Sequence, residues 1–314
     1  MYIITGATGQ VGRMAAEELL DHVSPSEVIL TTRSPEKLSD LAERGASVRF
    51  ADFSDPETLP GAFAGAQRML LLSTSSVGSR VLHHRNALQA AKNAGITYVA
   101  YTSIVGAGNP ENTAVVSREH RSTEEALRES GMAWNALRNS QYAEALAYYI
   151  APGAIMTGKW LGAQGQGRIG LVARADCAAA SIGCLLGRGE DNRAYAISGP
   201  ELLTYSQVAE MVTEISGHPI TTVDITDEEQ YAIFDEMGVP RQHQEDMSAS
   251  PIPWNSDDMV SFSRAIRLGH MADFSDAVQQ LSGRPPRSVR SILEEASASW
   301  PSPVSSGAVQ ADRE

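Results

Sequence analysis

The chain has 314 residues, 42% of them hydrophobic and 20% charged, an ordinary balance for a globular protein with a large core. Its formal net charge of −13 argues against nonspecific binding to nucleic acid, which needs a basic surface, but leaves room for one local basic pocket. No apolar run approaches the roughly 18 residues of a membrane span.

In chain order, residues 1–5 read as a buried strand and 13–22 as a helix. The strand at the outset leaves no room for a signal peptide. A strand at 28–32 leads to a helix over 35–44, and a strand at 48–51 to a short helix over 59–64. A fourth strand at 69–73 precedes a helix over 82–94 that stops at Gly95, as helices often do. A strand at 98–102, a helix over 121–130 ending at Gly131, and a strand at 134–137 follow. Strands alternating with helices on short connections predict an α/β fold with a doubly wound parallel sheet of Rossmann type.

After Asn139 the rhythm changes. Residues 142–149 read as a helix ended by Pro152, and 175–186 as an Ala-rich helix. Residues 195–197 read as a late strand returning to the sheet. Amphipathic helices are expected over 205–216 and 227–237, and a last helix over 288–296. Residues 242–255, with Pro251 and Pro253, read as a mobile loop, and 301–314 as a disordered tail. The expected organisation is a Rossmann domain over 1–150 and a smaller substrate-binding lobe over 151–300, with 175–198 returning to the sheet. Cys177 and Cys184, the two cysteines, make no disulfide framework and read as buried thiols in a reducing cytoplasm.

The first strand runs straight into Gly6-Ala7-Thr8-Gly9-Gln10-Val11-Gly12. A strand, a glycine turn and a helix start together make a pyrophosphate cradle. The glycines allow the turn and the close approach of backbone N–H groups, and the helix end adds partial positive charge. The second strand ends Thr31-Thr32-Arg33-Ser34, with Lys37 one turn on. An NAD site usually carries an acid there for the ribose 2′-OH. Two cations and a hydroxyl suit a 2′-phosphate instead, so NADP(H) is the expected cofactor. Arg33 could also lie against the adenine face. Asp52 and Phe53 are placed to meet the adenine edge, a position that a helix N-cap would equally explain. Ser73, Thr74 and Ser75 end the fourth strand, and Thr102 and Ser103 the fifth. Open parallel sheets bind ligands at these carboxyl ends, so the hydroxyls either meet the cofactor or belong to ordinary loops.

The glycine loop, the segment Ala90-Ala91-Lys92-Asn93-Ala94-Gly95-Ile96 and Ala100-Tyr101-Thr102-Ser103 resemble the NmrA-like atypical short-chain dehydrogenases/reductases. So do Arg138-Asn139-Ser140-Gln141-Tyr142 and Arg174-Ala175-Asp176-Cys177. The type 2 NAD(P)H:quinone oxidoreductases and triphenylmethane dye reductases are most similar, over residues 1 to about 235 and the last helix. The resemblance implies Gly6, Thr8, Gly9, Gln10 and Val11 at the pyrophosphate, Arg33 at the 2′-phosphate and Asp52 and Phe53 at adenine. It implies Ser73, Thr74 and Ser75 along the groove, and Thr102 and Tyr142 near the nicotinamide. Residues 245–274, with Trp254, read as longer than in relatives, and a specialised pocket is expected there.

The superfamily's usual Tyr-x-x-x-Lys pair is missing. No lysine stands between Lys92 and Lys159, Tyr142 is followed four residues on by Leu146, and Tyr149 by Gly153. Ser103 shows no obvious partner. His120, read as lying just before a helix, is a candidate proton donor or a helix-start histidine bonded to backbone. Tyr142 is a candidate donor or a pocket wall. His83 and His84 are neighbours on a helix and point apart, which disfavours a metal site, and none is expected elsewhere. The cofactor itself can carry the chemistry while the protein positions an acceptor. The expected activity is therefore an NADPH-dependent reduction of a quinone, enone, ketone or conjugated dye. The alternative is a redox-sensing regulator that binds NADP(H) without turnover. A homodimer is left open by the sequence.

Overall fold

The computed structural model describes residues 1–244, 247, 249–252 and 254–301. The expected tail from 302 onward, and parts of the expected loop at 242–255, lie outside the described residues. The first half runs β1 (Tyr2–Ile4), α1 (Gln10–Leu20), β2 (Val28–Thr32), α2 (Ser39–Glu43), β3 (Ser47–Phe50), α3 (Leu59–Phe63), β4 (Arg68–Leu71), α4 (Arg80–Asn93), β5 (Tyr98–Ile104), α5 (Val115–Glu129) and β6 (Ala133–Asn139). Then come α6 (Ala143–Ala145), α7 (Ala151–Thr157), β7 (Lys159–Gly162), α8 (Arg174–Leu185), β8 (Arg193–Ile197), α9 (Tyr205–Ser216), β9 (Thr221–Asp224) and α10 (Asp227–Glu236). The chain continues with α11 (Ser256–Arg267), α12 (Ala277–Ser282) and α13 (Val289–Ser297).

Seven strands form one sheet in the order β3-β2-β1-β4-β5-β6-β8. Every pairing in it is parallel. The late strand does return to the sheet, pairing Leu137 with Tyr195. Alternation along the strands divides the core between two faces. Ile4, Leu30, Leu70 and Ala100 pack with α1, α8 and α12, whereas Ile3, Ile29, Met69 and Val99 pack with α3 and α4. This is why the strands read as continuous apolar runs. Each fully buried Ile or Leu among them contributes roughly 1.5–3 kcal/mol. The α/β fold is thus a doubly wound Rossmann sheet.

A second core forms beyond the carboxyl ends of β5 and β6. Val105, Val116, Leu146, Trp160, Tyr205, Ile266 and Leu293 meet there, so residues on both sides of position 150 share it. A small parallel pair, β7 with β9, borders this core and had no signature in the sequence reading.

Two local readings need correction, and one helix had no reading. The fifth helix begins at Val115, not at 121, so His120 lies inside it. Its open N-terminus is held from afar: Ser261 Oγ accepts from Val115 N at 3.1 Å and Asp258 Oδ1 from Val116 N at 3.1 Å. Pro152 does not end a helix. A π turn over Leu146–Ile150 leads into α7, where Pro152 stands at the first turn and its missing N–H is no loss. The region after Trp254 holds α11, capped by Asn255, whose Oδ1 accepts from Asp258 N at 2.9 Å.

Candidate active site

The order of strands reverses between β1 and β4, and a crevice opens there, outside their carboxyl ends. Thr5 ties its two walls together. Its hydroxyl donates to Leu70 O at 3.3 Å and accepts from Leu72 N at 3.0 Å.

The glycine loop forms one wall of this crevice. Gly6 adopts φ +59°, and a Cβ on Gly12 would stand 2.3 Å from Gly6 O, far closer than a carbon atom can approach without a bond. Gly12 is what lets α1 start directly against the loop. Gly9 is the N-cap of α1, and no side chain caps that helix. Gly6, Thr8, Gly9 and Gln10 are exposed, Val11 is half-buried and Gly12 is buried. A side-chain-free cradle at an uncapped helix start suits a pyrophosphate, so these residues fit the expected dinucleotide.

The loop is bonded to the end of β2, where Thr8 Oγ1 and Thr32 Oγ1 lie 2.9 Å apart and Thr32 Oγ1 accepts from Ser34 N at 3.1 Å. Arg33 and Lys37 beyond it are exposed. Arg33 comes within electrostatic reach of Asp52 and of His83 on α4. Partial burial works against the Asp52 carboxylate. Hydrogen bonds from Ser54, with Arg33 and His83 nearby, outweigh it and hold Asp52 below its ordinary range. Burial lowers His83, Asp52 opposes that, and Arg33 and His243 add to it. Phe53 is half-buried, and its carbonyl accepts from Asn86 Nδ2 at 2.9 Å. Arg33, Asp52, Phe53 and His83 therefore stand together, and His83 is the member that sequence reasoning missed.

On the other wall, Ser73 N donates to Thr102 Oγ1 at 2.8 Å, and Thr102 is buried. Thr74 N donates to His84 Nε2 at 3.1 Å, while Ser75 is exposed. His84 faces the core and His83 the Asp52 side, as neighbours on a helix must. A cavity of about 440 Å³ lies between Ser75, Ser76 and His243, Met247, Ser250, Pro251 and Ile252. It sets part of the long C-terminal region beside the groove.

His120 is 4% exposed, with Nδ1 2.7 Å from the Tyr101 hydroxyl. Burial, then Arg80 and His84, push its pKa well below the ordinary value. The ring is neutral at pH 7, which removes the imidazolium form that a histidine acid needs. Burial raises the Tyr142 hydroxyl, and Arg174 stacks over that ring at 5.0 Å. Ser103 does have a partner: it donates to Glu124 Oε1 at 2.7 Å. Arg138 grips the same carboxylate with Nε at 2.9 Å and Nη2 at 2.7 Å, and Arg128 adds a bond at 2.8 Å. Ser103 is thus committed to a buried ion cluster. Trp160 belongs to the core, 1% exposed and edge-on to Tyr205. Among the described residues, no group of three or more His, Cys, Asp or Glu side chains could hold a metal ion. No described helix is long and apolar enough to cross a membrane.

A family profile described as NAD(P)H-binding matches residues 6–185. Quinone oxidoreductase 2 of Escherichia coli is 36% identical over 242 residues, 76% of this chain and 83% of that protein. Its crystal structure, an NADPH-dependent quinone oxidoreductase complexed with NADPH, superposes with a TM-score of 0.84, covering 95% of this chain and 99% of that one. The Citrobacter sp. triphenylmethane reductase complexed with NADP(H) gives 0.82 at 27% identity, covering 94% and 100%. An Aspergillus flavus NmrA-like family domain-containing oxidoreductase is 27% identical over 94% of this chain and 95% of its own. The chain belongs to the NAD(P)H-binding family, and an NmrA-like oxidoreductase is among its relatives.

Proposed function

We propose that the protein is an NADPH-dependent reductase that delivers hydride to a small electrophilic acceptor such as a quinone, enone, ketone or conjugated dye. The observation that carries the reading is the glycine cradle at the sheet's switch point, followed on the neighbouring strand by Arg33 instead of an acid. Gly6, Thr8, Gly9, Gln10, Val11 and Gly12 would hold the pyrophosphate. Arg33, with Lys37 a turn away, would meet the 2′-phosphate, and Asp52 and Phe53 the adenine. Ser73, Thr74, Ser75 and Thr102 would line the groove. NADPH bound there supplies the hydride.

The side chains offer little acid. Tyr142 keeps its proton because burial disfavours the phenolate, and His120 stays neutral. We assign both to shaping the pocket, and the proton to water. That suits acceptors whose reduced form is delocalised and gains a proton readily. Residues 151–300 supply the substrate side of the site in this reading. Cys177 and Cys184 are free and buried, which suits a reducing cytoplasm. A homodimer would draw on exposed apolar side chains such as Tyr149 and Met156, and sedimentation tests it.

The decisive assay follows NADPH oxidation against quinones, enones, ketones and cationic dyes. Turnover with at least one class is expected. Tight NADP(H) binding with no turnover on any acceptor would replace the reductase reading with that of a redox-sensing regulator.

A further inference from the structure

The segment 73–79 leaves β4 at the switch point and carries Ser73, Thr74 and Ser75 along the groove. Both backbone groups of Thr74 are held by side chains. Its N–H donates to His84 Nε2 at 3.1 Å, and its carbonyl accepts from Arg80 Nε at 2.8 Å. Arg80 and His84 are four residues apart on α4, one turn, so they reach the loop from the same side. Arg80 Nη1 also donates to Glu119 Oε2 at 2.6 Å, and Glu119 Oε1 accepts from Gly78 N at 2.6 Å. The loop is thereby fixed near its start and near its far end. His84 is 0% exposed and Arg80 4%.

The chain of bonds fixes one tautomer. With Nε2 accepting, a neutral His84 carries its proton on Nδ1. That atom lies 3.0 Å from Thr123 Oγ1, and the Thr123 hydroxyl donates to the Glu119 carbonyl at 3.1 Å. A protonated ring would turn an N–H against the N–H of Thr74. Burial, with Arg80 and His83 nearby, pushes the His84 pKa down to about 3 and prevents this. Nothing in the proposed hydride transfer uses His84 or Arg80 directly.

We propose that His84 and Arg80 are positioning residues that hold the N–H and the carbonyl of Thr74 and keep Ser73–Ser75 ready against the cofactor groove. The inference rests on the NADPH-site reading above. A loop ordered in advance loses less freedom when the ligand arrives, which strengthens binding.

The test compares His84→Gln, which keeps an acceptor near the place of Nε2, with His84→Leu, which keeps bulk and removes it. Hydrogen–deuterium exchange across 73–79 is read in cofactor-free protein, and the NADPH Kd by calorimetry. In His84→Leu, exchange should rise roughly tenfold over 73–79 with the sheet unchanged, and the Kd should weaken by about tenfold. His84→Gln should stay within about threefold of the wild type in both. Unchanged values in His84→Leu, or equal damage in both variants, overturn the proposal. Should His84→Leu not fold, Thr123→Val removes the group that fixes the tautomer. It should speed exchange at 73–79, and no change there overturns the proposal. A wild-type protein that does not bind NADPH refutes the cofactor reading alone, because exchange still decides on the clamp.

Discussion

The two walls of the crevice between β1 and β4 are built by different means. The glycine loop is shaped by backbone and by the absence of side chains, within one stretch from Gly6 to Gly12. The facing loop at 73–79 is shaped by side chains of β5, α4 and α5: Thr102, Arg80, His84 and Glu119. A wall of the first kind is fragile to added atoms. One of the second kind is fragile to lost partners.

The largest effect should come from adding an atom. In Gly12→Ala the new Cβ meets Gly6 O at 2.3 Å and Ala7 Cα at 3.0 Å, both backbone. Neither can move without shifting β1 or α1. NADPH affinity should fall on the order of 100-fold, read by calorimetry, with a lowered melting temperature. Near-normal affinity would show that the loop tolerates side chains and that the contrast between the walls is false.

Removing a partner beyond the second wall should come next. Burial alone would raise the pKa of Glu124, but Arg138, Ser103 and Arg128 outweigh it and lower it. Its stabilisation is present above the unfolded carboxyl pKa and is lost as pH falls through the depressed folded value. Glu124→Gln should cost about 2–3 kcal/mol at pH 7, below the usual loss for a buried pair because Arg128 is 43% exposed. The difference from the wild type should shrink in acid, which urea melts across pH would detect.

The same contrast explains what could be read from the sequence. The glycine loop, Arg33 and the alternation of strands and helices are local patterns, each complete within a few residues. The clamp is not. Arg80 and His84 stand one helical turn apart, but Thr74, Glu119 and Thr123 become their neighbours only in the fold. The early start of α5 was hidden for the same reason, since Ser261 and Asp258 hold its N-terminus from more than 140 residues away. The helix α11 was legible and overlooked: Asn255 followed by Asp257 and Asp258 is a helix-start signature. The β7–β9 pair gave no signal, because short, mostly exposed strands carry little alternation.

Arg33→Ala sharpens the comparison from the cofactor's side. An exposed guanidinium facing a 2′-phosphate would contribute one charge-assisted contact, about 1.5–3 kcal/mol. NADPH affinity should therefore drop between about tenfold and 100-fold, with NADH almost unaffected. Equal losses for both dinucleotides would assign Arg33 to the adenine face or to the loop instead.

The smallest expected effect is a gain. Asp258 is 6% exposed and caps α5 through Val116 N, close to the Arg80–Glu119 pair. Burial raises its pKa to about 6, only partly opposed by Arg80. Because the folded value exceeds the unfolded one, the protonated form is favoured by folding. That contribution is full below about pH 4 and is lost as pH rises through about 6. At pH 7 the carboxylate is a charge held in the interior. Asp258→Asn keeps an oxygen to accept from Val116 N and removes the charge. Stability at pH 7 should rise by about 1 kcal/mol, and the gain should vanish below pH 4, where the native Asp258 is already neutral. A loss at pH 7 would mean that the helix start needs the full negative charge, and that a side-chain-built wall depends on electrostatics where the glycine wall depends on space.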